Sequence, residues 1–344
     1  MQKTYLVSPF FAKKGLSKYA SEAGVRFLLS HWSYIRVSKK IYKYVGPDII
    51  DLAFKKEGYL GFKFSYPKDY NDPYELFLTI DFGDDPEIAA FYNEIVQEIQ
   101  QYPTTCFSNS PIVTPMWAHY AHNSKGFVIE IDEDMLKGHI ESASIGDVTY
   151  QDAPREELAV TFQMAHRRGK PRDIMFLRNG VQSAAYFTKH SCWSYESERR
   201  LVVSDSEVSN IDGNMISFIP TECVTAIISG PRTKAEYIIK GKELSDTIET
   251  RYFEAKIGKS NSKPYFIGQD SGTYIFDGNN IVEAINSCCS CNEPVGEYKE
   301  FCLWCSITED DQENAAFGNP LRAFSDVGML EGYIKGFNSI GKKT

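Results

Sequence analysis

The chain has 344 residues, of which 42% are hydrophobic, 14% aromatic and 24% charged. This is the composition of a globular protein, and it excludes collagen-like, low-complexity and wholly disordered chains. The formal net charge of −9 conceals a division. Residues 1–40 hold eight Lys/Arg and a single acid, Glu22, for a net +7; the remaining 304 residues hold 29 basic and 45 acidic side chains, a net −16. The average argues against a polyanionic partner, whereas the divided charge admits one at the N-terminal segment.

No window approaches the roughly 20 apolar residues that span a bilayer. The start lacks the apolar core and small-residue cleavage site of a secretory signal. The expected location is therefore cytoplasmic, with no membrane partner. Thiols stay reduced there, so the eight cysteines read as metal ligands or core residues rather than disulfides.

In chain order, Leu16 to Trp32 has loosely helical apolar spacing and predicts a basic amphipathic helix. Ile41–Val45 reads as a strand, closed by Gly46-Pro47. Asp48 is placed to cap a helix that stops at Gly58. Tyr59–Ser65 alternates as a strand, and Phe77–Phe82 reads as another. Pro86 opens a helix with a clean apolar stripe through Ile99. A short strand at Thr105–Ser108, a helical turn at Pro115–Ala121 and a strand at Gly126–Asp132 follow. Val148–Tyr150 reads as β, then two helices at 155–168 and 172–190, then strands at Arg199–Val203, Met215–Ile219 and Val224–Ser229. Lys234–Ile248 predicts a helix. Short strands with interspersed helices predict an α+β fold with a mixed or antiparallel sheet, plus a small C-terminal zinc ribbon. The expected organisation is a basic segment 1–40, a main domain 41–257, a Gly/Ser/Asn-rich linker 258–285, and a ribbon with tail 286–344.

The tail carries Cys288-x2-Cys291, ten residues, then Cys302-x2-Cys305. Two such knuckles can set four thiolates tetrahedrally around zinc, and four cysteine ligands leave no open position. The predicted zinc is therefore structural. Cys289 lies inside the first knuckle and is a rival ligand. Cys106, Cys192 and Cys223 read as buried core thiols.

Four clusters combine polar and aromatic residues: YKY at 42–44, FSYPKDYNDPYE at 64–75, CFS…MWAHYA at 106–121, and K-x3-W-x2-E-x-E-R from Lys189 to Arg199. Their order resembles the bacterial domain of unknown function 2971 family, over roughly residues 41–230. That resemblance implies no established reaction.

Glu196-x-Glu198 before an apolar strand also resembles the Glu-x-Glu turn of ADP-ribosyltransferases. The resemblance implies NAD as substrate, with Lys43 and Tyr44 on a first strand and Ser65 and Tyr66 on a second holding it. Ser108 and Ser110 are rivals to Ser65. Breaking the nicotinamide–ribose bond builds positive charge, which a carboxylate stabilises. A second carboxylate can orient or deprotonate the acceptor. Glu198 is the expected main catalytic carboxylate and Glu196 its assistant. On one strand, residues i and i+2 share a face. Tyr44, Tyr66 and Trp193 are candidates for stacking the nicotinamide. The family pattern departs at Lys43, where Arg or His is commoner, and its Ser-Thr-Ser element is not intact. The bland reading makes Glu196, Glu198, Arg199 and Arg200 a surface ion-pair cluster on a strand edge.

Two functions are carried forward. One is an ADP-ribosyltransferase-like enzyme that modifies a nucleic-acid or protein acceptor delivered by the basic segment, as an effector in bacterial defence. The other is a non-enzymatic nucleic-acid-binding or sensor protein with a structural zinc ribbon.

Overall fold

A computed structural model of the protein describes residues 38–70, 72, 85–97, 100–153 and 156–340. The predicted helix at Leu16–Trp32 and strand at Phe77–Phe82 lie outside them. Lys39–Thr344 forms one compact unit.

The strands in chain order are β1 (Lys40–Val45), β2 (Tyr59–Phe64), β3 (Thr104–Ser108), β4 (Phe127–Asp132), β5 (Ser144–Asp147), β6 (Thr149–Tyr150), β7 (Thr188–Lys189) and β8 (Glu198–Val202). They continue as β9 (Ser209–Ile211), β10 (Asn214–Pro220), β11 (Val224–Ser229), β12 (Arg251–Lys256), β13 (Tyr265–Gly268), β14 (Thr273–Phe276) and β15 (Ile281–Glu283). Ten of them form one mixed sheet in the order β15-β14-β13-β12-β11-β4-β1-β3-β8-β5. Its neighbours are antiparallel except β11 and β12. A helix, Ala235–Thr247, makes the crossover that this parallel pair requires. A second sheet, β2-β10-β9, and a parallel pair, β6-β7, complete the strands described. The α+β expectation holds.

The sheet is covered on both faces, so β4 is buried along its whole length. Ile41, Val45, Phe127, Ile129 and Ile131 pack on one face with Leu60, Phe62 and Ile219 of the second sheet. Tyr42, Tyr44, Val128, Ala226 and Phe253 pack on the other. Alternation along β1 thus sends its two tyrosines to one side and its aliphatic residues to the other.

Three expectations change. The stretch 258–285, read as linker, carries β13, β14 and β15, which extend the main sheet. Its Gly, Ser and Asn residues mark the turns between short strands rather than a spacer. The helix expected at 172–190 ends at Tyr186, because Thr188–Lys189 pairs with Thr149–Tyr150. The helix after Asp48 is only Ile49–Ala53, and the Asp48 carboxylate accepts from Tyr237 Oη at 2.5 Å instead of capping it.

Candidate functional site

Strands β1, β3 and β8, the end of β2, and β7 surround a cleft of about 370 Å³. That volume lies within the usual range for small-molecule sites. Lys43, Tyr44, Ser65, Glu196 and Glu198, all singled out from sequence, line it. Tyr66 and Trp193 do not. Tyr66 donates to Asp205 at 2.9 Å, outside the lining. Trp193 carries Lys189 Nζ 4.8 Å from a ring centroid and tilts against Tyr195.

The two glutamates meet by a route other than the expected one. Glu196 ends a 3-10 helix, Ser191–Glu196, and Glu198 begins β8. Between them Ser197 takes a left-handed φ of 45°. That conformation is unfavourable for a residue with a Cβ and needs outside support. Asn109 supplies it: its backbone N–H and its Nδ2 donate to Ser197 O at 2.8 and 3.0 Å. Ser108 Oγ donates to Glu196 O at 2.7 Å. The residue that shares a strand face with Glu198 is Arg200.

Both carboxylates are buried, and Lys189 is shared between them. Its Nζ lies 2.7 Å from Glu196 Oε2 and 3.1 Å from Glu198 Oε2. Arg200 donates through Nε to Glu198 Oε1 at 2.6 Å. Tyr120 Oη donates to Glu196 Oε1 at 2.6 Å. Glu198 is therefore held between two cations. Burial alone would raise its pKa, but Arg200 and Lys189 outweigh burial and hold the carboxyl down at about 2. Burial likewise opposes the charge on Lys189, and Glu198 and Glu196 outweigh it, raising the ammonium above its ordinary value. The bland reading of a surface cluster on a strand edge is thus overturned. Arg200 has 0% of its surface exposed, and β8 lies between β3 and β5. Arg199 points to the opposite face, where Glu133 Oε1 accepts from Nη2 at 2.7 Å.

Lys43 sits on the cleft wall and donates to Thr105 Oγ1 at 2.7 Å and Cys106 O at 2.8 Å. Burial lowers its pKa, against the attraction of Cys106 and Glu198. Both bonds run into β3, and they fix the amino group in place. Ser65 is pinned by paired backbone bonds with Thr104, at 3.1 and 2.9 Å. Tyr44 Oη donates to Ser110 O at 2.9 Å. The Cys106 thiol, expected in the core, also lines the cleft, and burial pushes it up to about 12, so it stays protonated. Cys223 is buried as expected, whereas Cys192 is exposed.

Lys189 and Tyr120, which have no assigned role in the sequence reading, and Arg200, which that reading places in a surface ion-pair cluster, complete the site. The signal for Lys189 was present: it is the first residue of the K-x3-W-x2-E-x-E-R pattern. Tyr120 lies in WAHYA, where His119 Nδ1 meets Tyr195 Oη at 3.2 Å within an aromatic cluster.

The second site is the cysteine cluster. The Sγ atoms of Cys288, Cys291, Cys302 and Cys305 lie within 4.8 Å of one another. Cys291 and Cys302 Sγ are 3.7 Å apart. A tetrahedral zinc with bonds of about 2.3 Å sets sulfurs roughly 3.8 Å apart, so the four thiols fit a metal of that kind. Cys289 is exposed and outside the cluster. The cysteine segment is tied to the sheet: Tyr265 Oη donates to Cys291 O at 3.2 Å and Thr273 Oγ1 to Asn292 O at 2.9 Å. Buried Glu293 accepts from Ser260 N at 2.8 Å and Asn261 N at 3.2 Å. Gly258 passes so close that a Cβ there would meet Glu293 Oε1 at 2.2 Å.

Among the described residues, no helix is long and apolar enough to cross a membrane. Residues 116–201 match the family described as protein of unknown function (DUF2971). The match is shorter than the expected 41–230. It spans Tyr120, Lys189, Glu196, Glu198 and Arg200, and leaves out Lys43, Ser65 and the four clustered cysteines. No curated protein and no solved structure matches the chain.

Proposed function

We infer that the protein is an ADP-ribosyltransferase-like enzyme that uses NAD to modify a nucleic-acid or protein acceptor. The observation that carries this reading is the shared cleft: Lys43, Ser65, Glu196 and Glu198 come from separate elements and line one cavity of about 370 Å³. In this reading Glu198 stands beside the ribose. Its ionised carboxylate stabilises the charge that develops as nicotinamide leaves. Glu196, held by Tyr120 and Lys189, faces the acceptor. Lys189 and Arg200 fix both carboxylates without reorganisation at the moment of reaction. Lys43 offers its remaining N–H to an oxygen of the anionic ligand, and Tyr44 supplies an aromatic wall.

The four-cysteine site, in the same proposal, holds a structural zinc. Four thiolates close its coordination, so it takes no part in catalysis. It braces the ribbon against β13 and β14.

The test is incubation of the purified full chain with NAD and, separately, single-stranded DNA, RNA and protein acceptors. The expected result is an acceptor whose mass rises by one ADP-ribose unit with wild type and not with Glu198→Gln. No modified acceptor and no NAD consumption under any condition would remove the enzymatic reading.

A further inference from the structure

A second cleft, of about 390 Å³, shares no lining residue with the first. No charged side chain lines it. Tyr102 and Tyr186, with ring centroids 6.2 Å apart, give it an aromatic wall. Among the described residues, its Ser144, Asn179, Gln182 and Ser183 have no side-chain hydrogen-bond partner. Hydroxyls and amides both donate and accept, so this lining suits an uncharged group that does the same.

Two helices position the cleft, α1 (Glu156–Arg168) and α2 (Pro171–Tyr186). Leu177, Val181, Ala184 and Ala185 of α2 pack with Phe162 and Ala165 of α1 in one buried cluster. The opposite face of α2 is open. Steps of three and four residues run Arg172, Phe176, Asn179 and Ser183 along it. Phe176 is 65% exposed, and Asn179 and Ser183 belong to the cleft. Arg172 and Asn179 are roughly 10 Å apart along the helix axis. At the start of this face, the turn between the helices holds Arg167, Arg168, Lys170 and Arg172, all exposed. Asp173, 3.8 Å from Arg168 and 3.9 Å from Arg172, offsets one of these charges.

One helix face thus presents cations, then an aromatic ring, then an uncharged hydrogen-bonding cleft. A nucleic-acid single strand offers the matching groups: phosphates, unstacked bases and sugars. The ribose 2′-hydroxyl, a donor and an acceptor, suits the cleft and distinguishes RNA from DNA. An acidic peptide would meet the cations but leave the cleft unmatched. The chain's own basic segment 1–40, at net +7, is repelled by the same cations.

We propose that this face of α2 binds single-stranded RNA. The cations of the turn hold phosphates, Phe176 stacks a base, and the cleft takes the next nucleotide through Asn179, Gln182, Ser144 and Ser183.

The probe is a fluorescein-labelled 12-nucleotide oligoadenylate RNA, titrated with the full chain and followed by anisotropy. No NAD is present, so the outcome is separate from the enzymatic reading. DNA of the same sequence, duplex RNA and a polyglutamate peptide are the comparisons. The expected result is saturable binding, tightest for the RNA strand and weakening as salt rises. The variant Arg168→Gln, Lys170→Gln, Arg172→Gln lowers the log–log salt slope by about two. The variant Phe176→Ala, Asn179→Ala, Gln182→Ala weakens binding by about tenfold or more and leaves the salt slope in place. Circular dichroism of each variant confirms that the helices persist. No saturable binding, or equal binding of DNA, duplex or peptide, would overturn the proposal. So would binding that both variants leave unmoved and Lys13→Gln, Lys14→Gln, Lys18→Gln abolishes, which would place the strand on the basic segment.

Discussion

Arg200, with 0% of its surface exposed, donates through Nε to Glu198 Oε1 at 2.6 Å and through Nη2 to Glu198 Oε2 at 3.3 Å. The two residues share one face of β8, where Glu198 lines the cleft and Arg200 is buried beside it. Arg200 also donates through Nη1 to Tyr186 O at 3.1 Å, which ties the pair to the end of the preceding helix. A buried carboxylate left without a partner is costly. Arg200→Met is therefore expected to lose about 3–5 kcal/mol of stability by chemical denaturation. Arg200→Lys should restore only part of it, because an ammonium cannot make the two-pronged contact.

Glu198 also sets an acid limit. Its folded pKa of about 2 lies below the ordinary 4.5, so the unfolded chain takes up the proton first. The contribution is complete above pH 4.5 and is lost as pH falls toward 2. Lys189 shifts the opposite way: its contribution is complete below 10.5 and is lost as pH rises through the raised folded value. The urea midpoint of wild type should thus fall between pH 4.5 and 2 more steeply than that of Glu198→Gln. Superimposable curves over that window would contradict the assigned pairing.

The cysteine site predicts about one equivalent of zinc per chain. Chelation should raise the count of reactive thiols by the four clustered cysteines, Cys288, Cys291, Cys302 and Cys305. It should also release Trp304, whose Nε1 donates to Lys259 O at 2.9 Å, with a red shift in its fluorescence. Gly258→Ala should shift the same signal, because a methyl group there displaces Glu293. Metal content well below one equivalent, in protein never exposed to chelator, would contradict the site.

Lys43 tests substrate binding apart from chemistry. Lys43→Met removes the donors to Thr105 and Cys106 and the remaining N–H toward the cleft. If it binds the anionic part of NAD, KM should rise by about tenfold while kcat changes less, as expected for loss of binding shared by ground and transition states. A fall in kcat at constant KM would assign it a different role.

Much of this site was legible in the sequence, and the reason is local. Lys43 and Tyr44 lie on a strand whose alternation is plain, and Ser65 follows another. The paired CxxC spacing encodes its own geometry. What could not be read was how distant elements converge. Nothing in periodicity says that Ser197 turns left-handed, so Glu196 and Glu198 looked like strand neighbours. The same local reading makes Arg200 a surface residue, because its burial depends on distant groups, the Tyr70 ring and the helix end at Tyr186, meeting its guanidinium. Tyr66 and Trp193 are aromatics next to the motifs, yet neither lines the cleft. Strands β13 to β15 were hidden because they are short and flanked by turn residues.

The most direct measurement is free nicotinamide released from NAD by the purified chain, with Glu198→Gln and Glu196→Gln measured beside it. The account predicts release by wild type, loss of about a hundredfold or more in Glu198→Gln, and a smaller loss in Glu196→Gln, in line with removal of a charge-stabilising group. Equal release by wild type and a folded Glu198→Gln, or none from wild type with any acceptor, would contradict it.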